Sequence, residues 1–129
     1  MIYLDTSVAL AHLLAEDVRP PDWIWGETLA ASRLLEYELW NRLHAKELAD
    51  SHAEAALAVF GRIAFLELSA PVLARALAPF PTPVRTLDAL HLASADFLRS
   101  SGQPLQLATY DQRMMTAAAA MGMALAELA

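Results

Sequence analysis

The chain has 129 residues, 57% of them hydrophobic, no cysteine, and a formal net charge of −6 from nine basic and fifteen acidic residues. That length fits a single domain over residues 1–129 with a sizeable core. The missing cysteine excludes disulfides and thiolate metal sites, and the acidic balance argues against a non-specific, high-affinity nucleic-acid binder.

In chain order, Ile2-Tyr3-Leu4 reads as a short buried strand. Asp5-Thr6-Ser7 caps a helix over about residues 7–16, with Val8, Leu10, Ala11 and Leu14 facing inward. Arg19-Pro20-Pro21-Asp22 breaks the chain, and Trp23-Ile24-Trp25-Gly26 is too short for an element yet too apolar for a plain loop. Residues 29–31 form a second strand. Ser32 or Arg33 starts a helix to about Leu48 with Leu35, Leu39, Trp40 and Leu43 as its apolar stripe. Asp50-Ser51 caps a helix over residues 52–63, followed by a strand over 64–68 and a helix over 69–78. The prolines of Pro79-Phe80-Pro81-Thr82-Pro83 stiffen the next loop. Thr86 caps a helix to about Arg99 that stops at Ser100-Ser101-Gly102. A strand over 105–109, a helix over 111–120 ended by Gly122, and a last strand over 123–128 complete the pattern. Strands alternating with helices predict a mainly parallel sheet with helices on both faces, the working site lying beyond the carboxyl ends of the strands.

No apolar run reaches the roughly 20 residues that span a bilayer. The opening Met1-Ile2-Tyr3-Leu4-Asp5 has no basic start and meets an acid at once, unlike a signal peptide. A cytoplasmic location is the simplest expectation.

Against that pattern, four acids stand in apolar surroundings: Asp5 and Asp111 just past predicted strands, Glu38 and Asp88 near the starts or inner faces of helices. Carboxylates so placed are costly to bury without compensation. Gathered in one cleft, they call for a divalent cation, and a cation held by carboxylates beside a cleft points to phosphate chemistry. Neutralising these four would bring the chain close to charge balance. Eight of the nine basic residues are arginine, which suits bidentate phosphate contacts and equally an ordinary charged surface.

The order of these residues carries a resemblance. A strand runs into Asp5-Thr6-Ser7; Ser32 precedes Glu38 by six positions; Asp88-Ala89 is followed by Leu92-Ala93 and Ala95; and Thr109 precedes Asp111 after a strand. This arrangement resembles the PIN domain, most of all the toxins of VapBC-type toxin–antitoxin pairs, from Ile2 to about Gly122. The resemblance implies a three-layer α/β/α fold with a mainly parallel central sheet. It also implies an endoribonuclease using Mg2+, or Mn2+, to hydrolyse phosphodiesters with a metal-activated water, leaving 5′-phosphate and 3′-hydroxyl ends. The metal-binding and catalytic positions carry over to Asp5, Glu38, Asp88 and Asp111, and the supporting hydroxyls to Thr6 and Thr109. Glu38 is either a direct ligand or acts through a water. A homodimer, an RNA substrate and a VapB-type antitoxin are implied as partners, with no membrane. The stretch before Ser32 is short for the family, which bears on the shape of the entrance rather than on the acids.

Other residues have competing readings. Glu36, two positions from Glu38 and on another helical face, reads as a solvated charge. Asp96, about 80° around the helix from Asp88, reads as a surface charge or a rim residue. His91, a turn beyond Asp88, reads as packing beside the site. Arg85 touches phosphate or is an ordinary surface arginine. The methionine pairs read as core, and the stripe of Leu35, Leu39, Trp40 and Leu43, or Trp23 and Trp25, as an outlet for the apolar excess. Two other sheet enzymes fail on residues. A haloacid-dehalogenase-type phosphatase needs an acid where Ser7 stands, and a receiver domain needs a late lysine where the chain has only Lys46. A catalytically silent interaction module on the same fold is the alternative from another class.

Overall fold

The structure, a computed structural model, describes residues 1–129. Five strands form one all-parallel sheet: β1 (Ile2–Leu4), β2 (Leu29–Ser32), β3 (Ile63–Leu66), β4 (Gln106–Ala108) and β5 (Ala124–Leu125). Their spatial order is β3-β2-β1-β4-β5. Six helices connect them: α1 (Thr6–Leu13), α2 (Leu34–Ala45), α3 (Ala49–Phe60), α4 (Ala70–Leu77), α5 (Thr86–Ser100) and α6 (Gln112–Ala120).

The central strand divides the core. Successive side chains of a strand point to opposite faces. Ile2 and Leu4 therefore join Val8, Ala9, Leu35, Leu39, Leu43, Ala56 and Val59 in a core made with α1, α2 and α3. Tyr3 points the other way and packs with Leu92, Ala95, Leu107, Met114, Ala117 and Met123 under α5 and α6. Both faces of the sheet are thus covered, and the layering is the expected α/β/α. Because β2 and β4 flank β1, the chain order reverses direction at β1. The crevice beyond its carboxyl end is a topological switch point, where open parallel sheets place their ligands.

Three residues of the α2 stripe prove to be core: Leu35, Leu39 and Leu43 are fully buried, while Trp40 is partly buried against the same cluster. Exposed apolar side chains lie elsewhere, among them Leu73 and Leu77 on α4 and Leu87 on α5. Trp23 is exposed too, whereas Trp25 packs against the core. The ambiguous Trp23-Ile24-Trp25 stretch is a 3-10 turn over Asp22–Gly26 that buries Ile24 completely.

Two helices end earlier than their patterns suggest. After α1, Ala15 takes φ +49° and the Glu16 N–H bonds the Ala11 carbonyl at 3.0 Å. After α2, Glu47 takes φ +56° and the Leu48 N–H bonds the Leu43 carbonyl at 2.8 Å. Both are Schellman closures on a residue other than glycine. Gly122, at φ +75°, closes α6 in the same way. Asp50 lies within the first turn of α3, with no side-chain cap there. The last strand pairs only through Ala124 and Leu125, as suits an edge with one neighbour.

Candidate active site

Three of the four acids begin helices on the carboxyl side of the sheet. Asp5 is the N-cap of α1 and Asp111 the N-cap of α6, while Asp88 lies in the first turn of α5. Helix starts carry unpaired N–H groups and a partial positive charge, which favours carboxylates there. Glu38 reaches the same place from the second turn of α2. All four line one cavity of about 700 Å³, together with Thr6, Ser7, Asn41, Arg42 and Tyr110.

Each acid is held differently. Asp5 is 5% exposed, and its Oδ2 accepts hydrogen bonds from Ser7 Oγ (2.6 Å) and Thr109 Oγ1 (2.8 Å). Ser7 Oγ also accepts from the Tyr110 N–H at 3.0 Å, and Thr109 Oγ1 from the Asp111 N–H at 3.0 Å. These bonds tie the end of β4 to the start of α1, and Thr109 stands behind Asp5 rather than on the cavity wall. Asp111 Oδ1 accepts from the Arg113 N–H at 2.9 Å. Glu38 Oε1 accepts from Thr6 Oγ1 (2.8 Å) and lies 2.5 Å from His91 Nε2.

His91 is buried and bridges two layers. Its Nδ1 lies 2.9 Å from the Tyr3 hydroxyl, whose oxygen accepts the Ser32 N–H at 3.0 Å. A line of hydrogen bonds therefore runs from β2 through β1 and α5 to Glu38. Burial works to raise the Glu38 carboxyl, but the bonds from His91 and Thr6 outweigh it and hold the group below its usual range. Burial likewise works to lower His91, and the Glu38 bond with the charges of Asp5, Glu38 and Asp88 carries it upward instead.

Asp88 is the contrasting case. Burial, then the charges of Asp111 and Asp5, push its carboxyl above the usual range against the pull of Arg85 and His91, with no hydrogen bond to offset them. Its charge is left for something outside the chain to balance. The donors are all oxygen, which suits a hard cation such as Mg2+ or Mn2+ rather than a soft one. As the side chains stand, no three are drawn round one point tightly enough to hold an ion. Glu38 is pinned to His91 and Thr6, and Asp5 to Ser7 and Thr109. The residues fit a divalent cation by donor type and by sharing one cavity, and the protein does not preassemble them.

Glu16 and Arg42 also line this cavity, whereas Glu36 and Asp96 lie outside it. Glu36 pairs with Arg33 at 2.5 Å. Asp96 lies between Arg75 (2.9 Å) and Arg99 (2.7 Å) and joins α4 to α5, so it is neither a free surface charge nor a rim residue. Ser7, Tyr3 and Tyr110 are members of the site that sequence reasoning passed over. Ser7 looked like capping chemistry and Tyr3 like strand core. Tyr110 has the one buried side-chain polar atom without a partner, its hydroxyl, and no pattern announces that.

Comparison with known proteins places this geometry. The model of the PIN domain family matches residues 2–120. Ribonuclease VapC35 of Mycobacterium tuberculosis is 35% identical over 130 residues, 96% of this chain and 94% of that protein. Ribonuclease VapC47 of the same organism is 31% identical over 123 residues, 90% and 88% of the two chains. Among solved structures, Mycobacterium tuberculosis VapC20, a sarcin-ricin loop cleaving toxin, superposes with a TM-score of 0.68 at 20% identity, over 91% and 95% of the chains. VapBC2 from Rickettsia felis, bound to a DNA fragment from its promoter, gives a TM-score of 0.68 at 17% identity over 98% of each chain. At those identities the two structures speak for the fold, while the family model and the curated relatives speak for descent. The chain belongs to the PIN domain family, with relatives among the VapC ribonucleases.

Proposed function

We propose that the protein is a Mg2+-dependent endoribonuclease, with Mn2+ able to serve, and the toxin of a type II toxin–antitoxin pair. The observation that carries this reading is the meeting of Asp5, Glu38, Asp88 and Asp111 on one cavity at the carboxyl edge of the sheet. The names of the curated relatives support ribonuclease chemistry on a scaffold of this length. The structural neighbour solved as a toxin–antitoxin complex from Klebsiella pneumoniae, with a TM-score of 0.60, supports an antitoxin partner. A VapB-type antitoxin and a second copy of the chain are the partners proposed, with the exposed apolar residues Leu73, Leu77 and Leu87 available to them.

In this reading Asp5, Asp88 and Asp111 supply oxygen ligands. A bound cation supplies positive charge for the reacting phosphate and lowers the pKa of a water. Ser7 and Thr109 hold one Asp5 oxygen and so fix where the other points. Thr6 and His91 hold Glu38 ionised, ready to accept a hydrogen bond from the attacking water and orient it. Water oxygen would add to phosphorus and release a proton to solvent, the bond to the 3′-oxygen would break, and the departing oxygen would take a proton from solvent, leaving 5′-phosphate and 3′-hydroxyl ends. Thr6 and Thr109 act through the carboxylates they touch.

The test uses structured RNA with Mg2+, with and without EDTA, for the wild type, Asp5→Asn and Asp88→Asn. The expected result is cleavage by the wild type alone, abolished by EDTA. Equal cleavage by all three would identify a contaminating nuclease and remove the proposal.

A further inference from the structure

Four of the nine basic residues are held by the chain itself. Arg33 is bound to Glu36 and Glu67, and Arg75 and Arg99 to Asp96. Arg62 is bonded to the Trp25 carbonyl. None of the other five, Arg19, Arg42, Lys46, Arg85 and Arg113, forms an ion pair, although the chain carries fifteen acids; two of them, Arg85 and Arg113, stand at the starts of α5 and α6. Both are exposed, and both line a second cavity of about 460 Å³ with Thr82, Pro83, Gln112 and Thr116 among its walls.

This cavity is tied to the acidic one by the backbone. Arg85 is the N-cap residue of α5, whose first turn carries Asp88. Arg113 lies in the first turn of α6, two residues after its cap Asp111. The same two helix starts thus present acids to one cavity and guanidinium groups to its neighbour. The fifteen-residue α5 has no side-chain cap at its N-terminus, and the acid of its first turn, Asp88, lines the other cavity. Two guanidinium forks, the Gln112 amide and the Thr82 hydroxyl can all donate to an anion. No aromatic ring lines the cavity, so it offers nothing on which a base would stack. The chemistry selects a phosphate and ignores the base.

We propose that the Arg85–Arg113 cavity binds a backbone phosphate of the RNA strand, neighbouring the phosphate presented to the four acids. The identity of the strand rests on the ribonuclease reading; the anion site rests on the two arginines. In a chain of charge −6, these two residues, with Arg42 on the acidic cavity, supply positive charge beside the site. The contact is sequence-independent: it positions the strand and does not select it.

The experiment measures binding of a 5′-fluorescein-labelled oligouridylate by anisotropy in EDTA across a salt series. The proteins compared are the wild type, Arg85→Gln, Arg113→Gln, the double variant, Arg113→Lys, and Lys46→Gln as a distant charge control. We expect each glutamine variant to lose about tenfold in affinity. The double variant should also lower the slope of log affinity against log salt by about 0.7, the value for one neutralised phosphate on a single strand. Arg113→Lys should keep the wild-type slope, since the charge remains. A double variant with wild-type affinity and slope, or one weakened no more than Lys46→Gln, overturns the proposal. So does competition by polyglutamate equal to that by unlabelled oligouridylate, which would assign the cavity to an acidic peptide. Cleavage with Mg2+ is followed in parallel. Weakened binding in the arginine variants with no cleavage by the wild type would sink the nuclease reading and leave the phosphate site standing. Cleavage indifferent to both arginines would do the reverse.

Discussion

The two ends of α5 treat an aspartate in opposite ways. Asp96, in its later turns, is clasped by Arg75 and Arg99, and although burial works against its charge, those bonds hold the carboxyl below its usual range. Asp88, in the first turn, faces Asp5 and Asp111 across the cavity and is held above its usual range. The sheet, the helix and the residue type are shared. What differs is whether the chain itself completes the charge balance. Where it does, the acid joins two helices; where it does not, the acid has no bonded partner within the chain.

The largest expected effect separates the two sites by activity. Asp88→Asn should reduce RNA cleavage by about a hundredfold or more, the scale on which one group stabilising transition-state charge acts. Asp96→Asn should leave most cleavage intact and lower stability by about 1–3 kcal/mol, because two arginines lose a charged partner. Activity assays beside urea unfolding check both; equal loss of activity in the two variants would erase the distinction.

Next comes the response to metal. At a hundredfold excess over Kd, Mg2+ should stabilise the wild type by about 2.7 kcal/mol, or roughly 10 °C in Tm. Asp96→Asn should show the same rise and Asp88→Asn little of it. Scanning calorimetry with and without Mg2+ reads this directly, and a rise undiminished in Asp88→Asn would place the ion elsewhere.

A smaller effect concerns the support behind the acids. His91→Ala removes the bridge between the Tyr3 hydroxyl and Glu38, so cleavage should fall about tenfold as the carboxylate that orients the water loses its support. Steady-state rates at saturating Mg2+ are the check; an unchanged rate would make the bridge purely architectural.

The smallest effect is in pH. The folded chain binds the Asp88 proton more tightly than the unfolded chain does, so ionised Asp88 detracts from metal-free stability near neutral pH. That cost fades as pH falls through its raised value and is gone below the ordinary 3.8. Asp96 has the opposite sign: its contribution is present above 3.8 and is lost as pH falls through its lowered value. Metal-free unfolding should therefore find Asp88→Asn more stable than the wild type near neutral pH, the gap closing toward pH 3.8, and Asp96→Asn less stable above that pH. Parallel profiles would contradict the assignment.

The same contrast explains what was legible in the sequence. The strands and helices could be read because Ile2-Tyr3-Leu4 and the spacing of Leu35, Leu39 and Leu43 are local patterns that packing enforces. The caps Asp5 and Asp111 were equally local. The ends of α1 and α2 were not, because Ala15 and Glu47 take the left-handed turn usually marked by glycine. The Trp23-Ile24-Trp25 turn has no period to detect. Asp96 was indistinguishable from a surface charge until Arg75, twenty-one residues away, came to meet it. Tyr3 and His91 are separated by 88 positions, and neither betrays in isolation that it supports Glu38. Locally patterned residues could be placed by inspection, and those defined by a distant partner required the fold.

The central claim is that Asp5, Asp88 and Asp111 share a divalent cation at the switch point of the sheet. Anomalous diffraction from crystals soaked in Mn2+ tests it most directly. The account predicts a Mn2+ peak in the cavity, bonded to oxygens of Asp5 and Asp88 and near Asp111. A cavity without Mn2+ at millimolar concentration, or a peak bound at Asp96 or another surface acid instead, would contradict it.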